Sequence, residues 1–321
     1  GYLSSKWAQE LAESVGVPFI PVQHHHAHAE ALLTEHHWSR EQGVLVCCFD
    51  GTGFGVDRAI WGGEFLAVDS QGVNRFNHLG YFDLPGGDAA IRHPWKVALA
   101  LLHASGVDLD DRLRWIRDMK PNEIRLVRSQ LEQKINCVPT SSMGRLFDGV
   151  AGLIGLRNRV TYEGQAAIEL EAEAAKRIRS VGGQRYAFDI AATPPTPGSL
   201  DPSRSPNQLR IGYHDLIESI SRDVVAGIES SVIAAEFHHA VARMVHAVSL
   251  HARDVFGANT DGLTGGVFQN AILVGQVSDR LKTSGFEVLA HRTCPPNDGG
   301  ISLGQATVAR NHLTNPNRHS L

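Results

Sequence analysis

GVLVCCF at 43–49 is apolar without a break. A strand lacking a polar face must be covered on both sides, which points to a sheet layered between helices and away from a half-solvated meander. The run stops at Asp50-Gly51-Thr52-Gly53, and RAIWGGEFLAVD at 58–69 reads as the next strand. VPFIPV at 17–22 reads as a short buried strand, and DGLTGGV at 261–267 and FEVLA at 286–290 as two later ones.

Helical spacing occupies most of the rest. SKWAQELAESV at 5–15 is amphipathic, and the pattern from about 94 to 180 reads as a helical insertion. Within it PNEIRLVRSQLEQKI starts at a proline and SSMGRLFDGVAGLIGL at a serine cap signal. A long helix near 230–256, another ending about 283 and a last one from about 300 alternate with the late strands. Strands alternating with helices predict an α/β layer with parallel pairing. AATPPTPGSLDPSRSPN at 191–207 is too rich in Pro and Ser for a packed element and reads as a connecting loop.

With 321 residues, about two domains or lobes are expected. Hydrophobic residues at 42% and charged residues at 20% are ordinary globular usage. Lys and Arg number 30 against 34 Asp and Glu, a net charge of −4, which excludes a strongly basic nucleic-acid scaffold. No apolar stretch reaches the ~20 residues of a membrane span, and GYLSSKWAQE lacks a signal-peptide core, so a cytoplasmic protein without membrane contact is expected. Cys47, Cys48, Cys137 and Cys294 form no C-x-x-C pair and read as buried thiols.

Four constellations bear chemistry. Gln23-His24-His25-His26-Ala27-His28 leads into a helical pattern, where His24 and His28 share a face at i and i+4. That spacing suits one metal ion, zinc or iron, although an exposed histidine-rich turn accounts for the same letters. His25 and His26 point elsewhere and read as surface or supporting residues, and His36 and His37 as surface. Asp50-Gly51-Thr52-Gly53-Phe54-Gly55, at a strand's carboxyl end, fits either a phosphate-binding nest or a plain turn between strands, and Asp50 there could offer a metal an oxygen. Thr264-Gly265-Gly266-Val267-Phe268-Gln269-Asn270 suits a nucleotide over a helix N-terminus, or simple helix-on-strand packing. In Pro295-Pro296-Asn297-Asp298-Gly299-Gly300, Asp298 is either a metal ligand or a cap for the last helix.

VQHHHAH, DGTGFG, SSMGRLFDGVAGLIGL, TYEGQAAIELE, GGVFQN and PPNDGGISLGQA, in this order, resemble the carboxyl-terminal region of the HypF hydrogenase-maturation carbamoyltransferases, from near residue 2 to about 310. The resemblance implies two ribonuclease-H-like lobes of the actin, sugar-kinase and heat-shock ATPase superfamily, with a helical insertion and a first lobe truncated at its N-terminus. The expected division is a remainder of the first lobe at 1–95, the insertion and start of the second lobe at 96–190, the loop at 191–207 and a C-terminal lobe at 208–321. It also implies that His24, His28, Asp50 and Asp298 hold one divalent metal. Gly51, Thr52, Gly53, Asp148, Glu163, Gly164, Gly265, Gly266 and Asn270 are the nucleotide contacts it implies.

The implied reaction moves a carbamoyl group from carbamoyl-adenylate, bound in the ATP/AMP site, to the C-terminal cysteine tail of the partner HypE, with no enzyme-borne nucleophile. The family's upstream adenylate-forming domain is the implied source of that intermediate. Competing readings are a tRNA threonylcarbamoyl transferase or antibiotic O-carbamoyltransferase, a sugar kinase or heat-shock-type ATPase, and a nucleotide-binding docking module without turnover. The −4 charge weighs against tRNA and nucleic acid generally, and the histidine pair against the kinases, which hold magnesium through oxygen ligands.

Overall fold

A computed structural model describes residues 3–39, 41–192 and 209–314, so the Pro/Ser-rich loop lies outside the described residues from 193 onward. Helix α1 (Leu3–Val15) places Leu3, Trp7, Leu11 and Val15 at four-residue intervals, all exposed. No strand forms at 17–22, contrary to the apolar reading. Pro18 and Pro21 have no N–H to give a sheet, and Val17 and Phe19 remain exposed. Helix α2 (His24–Glu35) follows, its first turn capped by the Gln23 side chain, which accepts from the His26 N–H at 2.9 Å. It is buried on every side from His24 to Leu33.

Strand β1 (Val44–Phe54) is the central strand. Leu45, Cys47 and Phe49 enter one apolar cluster and Val44, Val46 and Cys48 another, so the period of two divides a continuous apolar run between two cores. Helix α2 covers the second core through Ala29, Leu32 and Leu33. Antiparallel β2 (Ile60–Val68) and β3 (Val73–His78) follow, then edge strand β4 (Phe82–Pro85).

The helical region begins with α3 (Pro94–Ala104), α4 (Arg114–Arg117) and α5 (Pro121–Gln133). Short β5 (Cys137–Thr140) interrupts it and joins the sheet edge before α6 (Met143–Leu153) and α7 (Gln165–Ala175). α5 starts at a proline and Ser142 Oγ caps α6 by accepting from the Arg145 N–H, both as the sequence signals, and α3 too starts at a proline. β6 (Asp189–Ala192) and β7 (Leu209–Gly212) make a separate two-stranded ribbon, followed by α8 (His214–Val225) and the long α9 (Ser230–Phe256). The chain then returns to the main sheet with β8 (Thr260–Thr264), α10 (Ala271–Thr283), β9 (Glu287–Ala290) and α11 (Ile301–Thr314).

The main sheet runs β4-β5-β2-β1-β8-β9, with β3 also on β2; β8 is parallel to β1 and β9 to β8. This is the mixed α/β layering of a ribonuclease-H-like lobe, covered by helices on both faces. The expected division at 1–95 and 208–321 does not separate two sheets, because β1 hydrogen-bonds directly to β8. The intervening helices are a long excursion from one layer. Among the described residues no helix is long and apolar enough to cross a membrane.

One buried acid gives the fold a pH signature. Asp261 on β8 is 1% exposed; Ser249 Oγ donates to its Oδ1 at 3.0 Å, while its Oδ2 has no partner. Burial pushes its carboxyl up to about 7, against smaller opposing effects of Ser249 and Arg253. The unfolded chain ionises this group near pH 4, so between that pH and about 7 the folded state holds more protons and stability falls as pH rises. Asp261→Asn should remove that slope. Urea unfolding should show the wild type losing about 2 kcal/mol more than the variant between pH 5 and pH 6.5; equal losses would contradict the assignment.

Candidate metal centre and nucleotide cleft

The carboxyl end of β1 is bent by a bulge. Phe49 pairs with Gly63 and Gly53 with Trp61, so β1 spends two more residues than β2 between these points. Asp50 and Gly51 leave the ladder there, as bulges beside functional sites re-aim side chains. Gly62 makes room: a Cβ at that position would stand 2.4 Å from the Asp50 carbonyl oxygen. Asp50 Oδ1 accepts from the Gly266 N–H at 3.1 Å, which fixes the carboxylate and leaves Oδ2 facing α2.

Helix α2 supplies the imidazoles. His24 Nε2 lies 3.1 Å from Asp50 Oδ2 and 3.3 Å from Asp298 Oδ1, and His28 Nε2 lies 3.7 Å and 3.2 Å from the same atoms. One donor atom from each of the four residues falls within 4.8 Å of every other. Asp298 reaches this point because α11 crosses α2 in backbone contact: a Cβ on Gly304 would sit 1.8 Å from the Ala27 carbonyl oxygen. The cap beside it is Asn297, whose side chain accepts from the Gly299 N–H, so Asp298 faces the histidines.

Electrostatics follow from this convergence. Burial alone would push both imidazoles down, but hydrogen bonds to Asp298 and Asp50 outweigh it, raising His24 to about 9 and His28 in the same direction. The histidines in turn hold Asp298 well below the usual carboxylate range, and Asp50 likewise despite its burial. Two acids here attract positive charge, and a divalent cation is the alternative to protons on the rings. Two imidazoles and two carboxylates are a donor set suited to zinc or iron.

The remaining histidines are not a solvent-exposed turn. His25 is fully buried against Trp61 and is kept neutral by that burial, its pKa pushed down to about 3; His26 is buried with Nε2 3.5 Å from Glu30 Oε1. His36 is half-buried with Nε2 2.8 Å from the Ala290 carbonyl, and His37 is exposed.

A cavity of about 540 Å³ opens beside the cluster. Of the expected residues, Gly51, Thr52, Asp148, Glu163, Gly164, Gly266 and Asn270 line it, together with Asp50 and Asp298. Gly53 and Gly265 do not. A Cβ on Gly53 would stand 2.2 Å from His25 Cε1, and one on Gly265 would stand 2.2 Å from the Phe49 carbonyl oxygen. Both glycines serve close packing behind the site.

Asn270 is held rigidly: its Oδ1 accepts from the Leu273 N–H at 2.8 Å and its Nδ2 donates to His238 Nε2 at 2.9 Å. Burial drives His238 down to about 4, so the ring is neutral and its Nδ1–H donates to the Ala234 carbonyl. Sequence reasoning missed His238, which carries no motif of its own. It also missed Arg145, Glu171, Gln269 and Asn297 on the cavity wall, although all four stand inside motifs already singled out.

Comparison with known proteins agrees with this architecture. Residues 46–305 match the family described as carbamoyltransferase, Kae1-like domain, second subdomain, and residues 1–35 match the HypF Kae1-like domain. Carbamoyltransferase HypF2 of Cupriavidus necator is 38% identical over 98% of this chain, which spans 39% of that protein. A carbamoyltransferase HypF homolog of the same organism is 35% identical over 98% of the chain and 76% of its own length. Full-length HypF, solved in a phosphate- and nucleotide-bound form, superposes with a TM-score of 0.83 at 35% identity, covering 99% of this chain and 46% of that one. The fold, the ordered motifs and these matches together establish that the chain belongs to the HypF carbamoyltransferase family and carries its Kae1-like domain.

Proposed function

We propose that this chain transfers a carbamoyl group from carbamoyl-adenylate to the thiolate of a C-terminal cysteine on the partner HypE, a step in building the cyanide ligands of the nickel–iron hydrogenase centre. One observation carries the reading: Asp50 and Asp298 belong both to the histidine cluster and to the wall of the cavity. A cation at the cluster is therefore a neighbour of whatever the cavity binds. His24, His28, Asp50 and Asp298 would hold zinc or iron, which supplies Lewis-acid polarisation of a carbonyl oxygen, worth several kcal/mol in such sites.

The chain's own groups fit the rest of the task. Gly51 and Gly266 present backbone without side chains at the cluster end of the cavity, while Asp148, Glu163 and Gly164 line it for the nucleoside. None of the four cysteines lines the cavity, so the nucleophile comes from the acceptor. Sulfur bonds to the carbamoyl carbon, the bond from that carbon to the phosphate oxygen breaks, and AMP leaves. The adenylate itself is to be made by the upstream adenylate-forming domain of the longer relatives.

Purified chain loaded with zinc or iron, given carbamoyl-adenylate and HypE, should put a carbamoyl group on the HypE C-terminal cysteine, read by mass spectrometry. Nucleotide and partner binding without thiocarbamate would overturn transfer in favour of a docking module.

A further inference from the structure

The cavity wall carries five carboxylates, Asp50, Asp148, Glu163, Glu171 and Asp298, against one basic side chain among the described lining residues, Arg145. A pocket so acidic repels a phosphate unless positive charge is fixed within it. Two of the acids face the histidine cluster, so Arg145 is the counter-charge available to the remaining three.

Arg145 is built into place. A Cβ on Gly144 would stand 2.8 Å from the Gly51 Cα, so the first turn of α6 presses directly on the β1 bulge. The next residue delivers its guanidinium beneath the glycine turn, with Nη2 3.1 Å from where a Gly51 Cβ would be. The side chain is 3% exposed, yet neither Nε nor Nη1 makes a directed hydrogen bond, although Nη1 lies 3.1 Å from Asp148 Oδ2. A buried guanidinium whose Nε has no hydrogen-bond partner and whose Nη1 has only the ion pair with Asp148 is costly unless a ligand completes it. Its planar fork matches phosphate oxygens better than any neutral sugar or base edge.

We infer that Arg145 is the phosphate-binding residue of this cleft and sets its preference for a phosphorylated nucleoside over the bare nucleoside. The inference rests on the nucleotide reading above and deepens it. Arg145 and Asp148 hold each other at the junction between the glycine turn and the Glu163 side of the cavity, so the phosphate lies toward Gly51 and the nucleoside beyond Asp148.

The test is calorimetric titration of the metal-loaded chain with AMP and, separately, adenosine, on wild type, Arg145→Gln and Arg145→Lys. Wild type should prefer AMP. Arg145→Gln should weaken AMP roughly tenfold to a hundredfold while adenosine stays within about twofold, because charged hydrogen bonds of this kind are lost only for the phosphate. Arg145→Lys keeps the charge and loses the fork; it should give a smaller loss for AMP alone, and it carries the test if the glutamine variant does not fold. A variant that weakens AMP and adenosine equally, or keeps the full AMP preference, would overturn the inference and reduce Arg145 to a buried partner of Asp148. Wild type binding neither compound would instead overturn the nucleotide reading itself, and the inference with it.

Discussion

The double variant His24→Ala/His28→Ala should purify with no stoichiometric metal, whereas the wild type keeps one ion per chain after dialysis. Four-ligand sites hold zinc with roughly 10–16 kcal/mol of apparent free energy, and removing half of the donors forfeits a comparable share, a fall in affinity of about a thousandfold or more. The two rings are neighbours on one face of α2, with centroids 4.8 Å apart, so neither has a nearby substitute. His25 and His26 do not provide one: the first is buried against Trp61 and the second faces Glu30. Because Asp50 is buried, alanine at both positions also strips its charge partners, so circular dichroism should accompany the metal analysis. Asp298→Asn is the companion variant, since this side chain is largely exposed and asparagine keeps its shape while removing its charge. It should lower metal affinity in a protein that stays folded. A double variant that is folded and retains stoichiometric metal would contradict the assignment.

The second large effect concerns a residue with no chemistry. Gly304→Ala places a methyl carbon 1.8 Å from the Ala27 carbonyl oxygen, a backbone atom that cannot rotate aside. Helices α2 and α11 must separate by more than an ångström, at a cost of about 3 kcal/mol or more. Separation also pulls Asp298, one turn before α11, away from His24 and His28, so metal affinity should fall even in protein that is still folded. Gly275→Ala in α10 is the control: nothing lies within 4 Å of its Cβ, so it should be neutral or mildly stabilising. Thermal unfolding and metal titration of both variants check this; an unchanged metal affinity in folded Gly304→Ala would separate the helix crossing from the site.

These two cases mark what could be read before the fold was known. The i, i+4 histidines, the Ser142 cap, the proline start of α5 and the buried β1 run are local features, decided within one or two turns of chain, and the structure reproduces them. The bulge at Asp50 depends on the register against β2 and on room left by Gly62, and the approach of Asp298 depends on the Gly304 crossing, so neither has a local signal. The 17–22 segment is apolar enough for a strand, but Pro18 and Pro21 remove the N–H groups that sheet pairing needs. Gly53 and Gly265 sit in motifs that look phosphate-binding, yet their small size serves packing against His25 and Phe49. Arg145 escaped notice for the opposite reason: an arginine in a helix reads as solvated surface until its burial is seen.

A crystal of the chain grown with zinc or iron and AMP, with diffraction recorded on either side of the metal's absorption edge, tests the central claim most directly. A single anomalous peak at about 2.0–2.2 Å from His24 Nε2, His28 Nε2 and one carboxylate oxygen each of Asp50 and Asp298, with the nucleotide in the adjoining cavity, is the predicted result. A peak coordinated by other residues, or a nucleotide bound away from those four side chains, would contradict it.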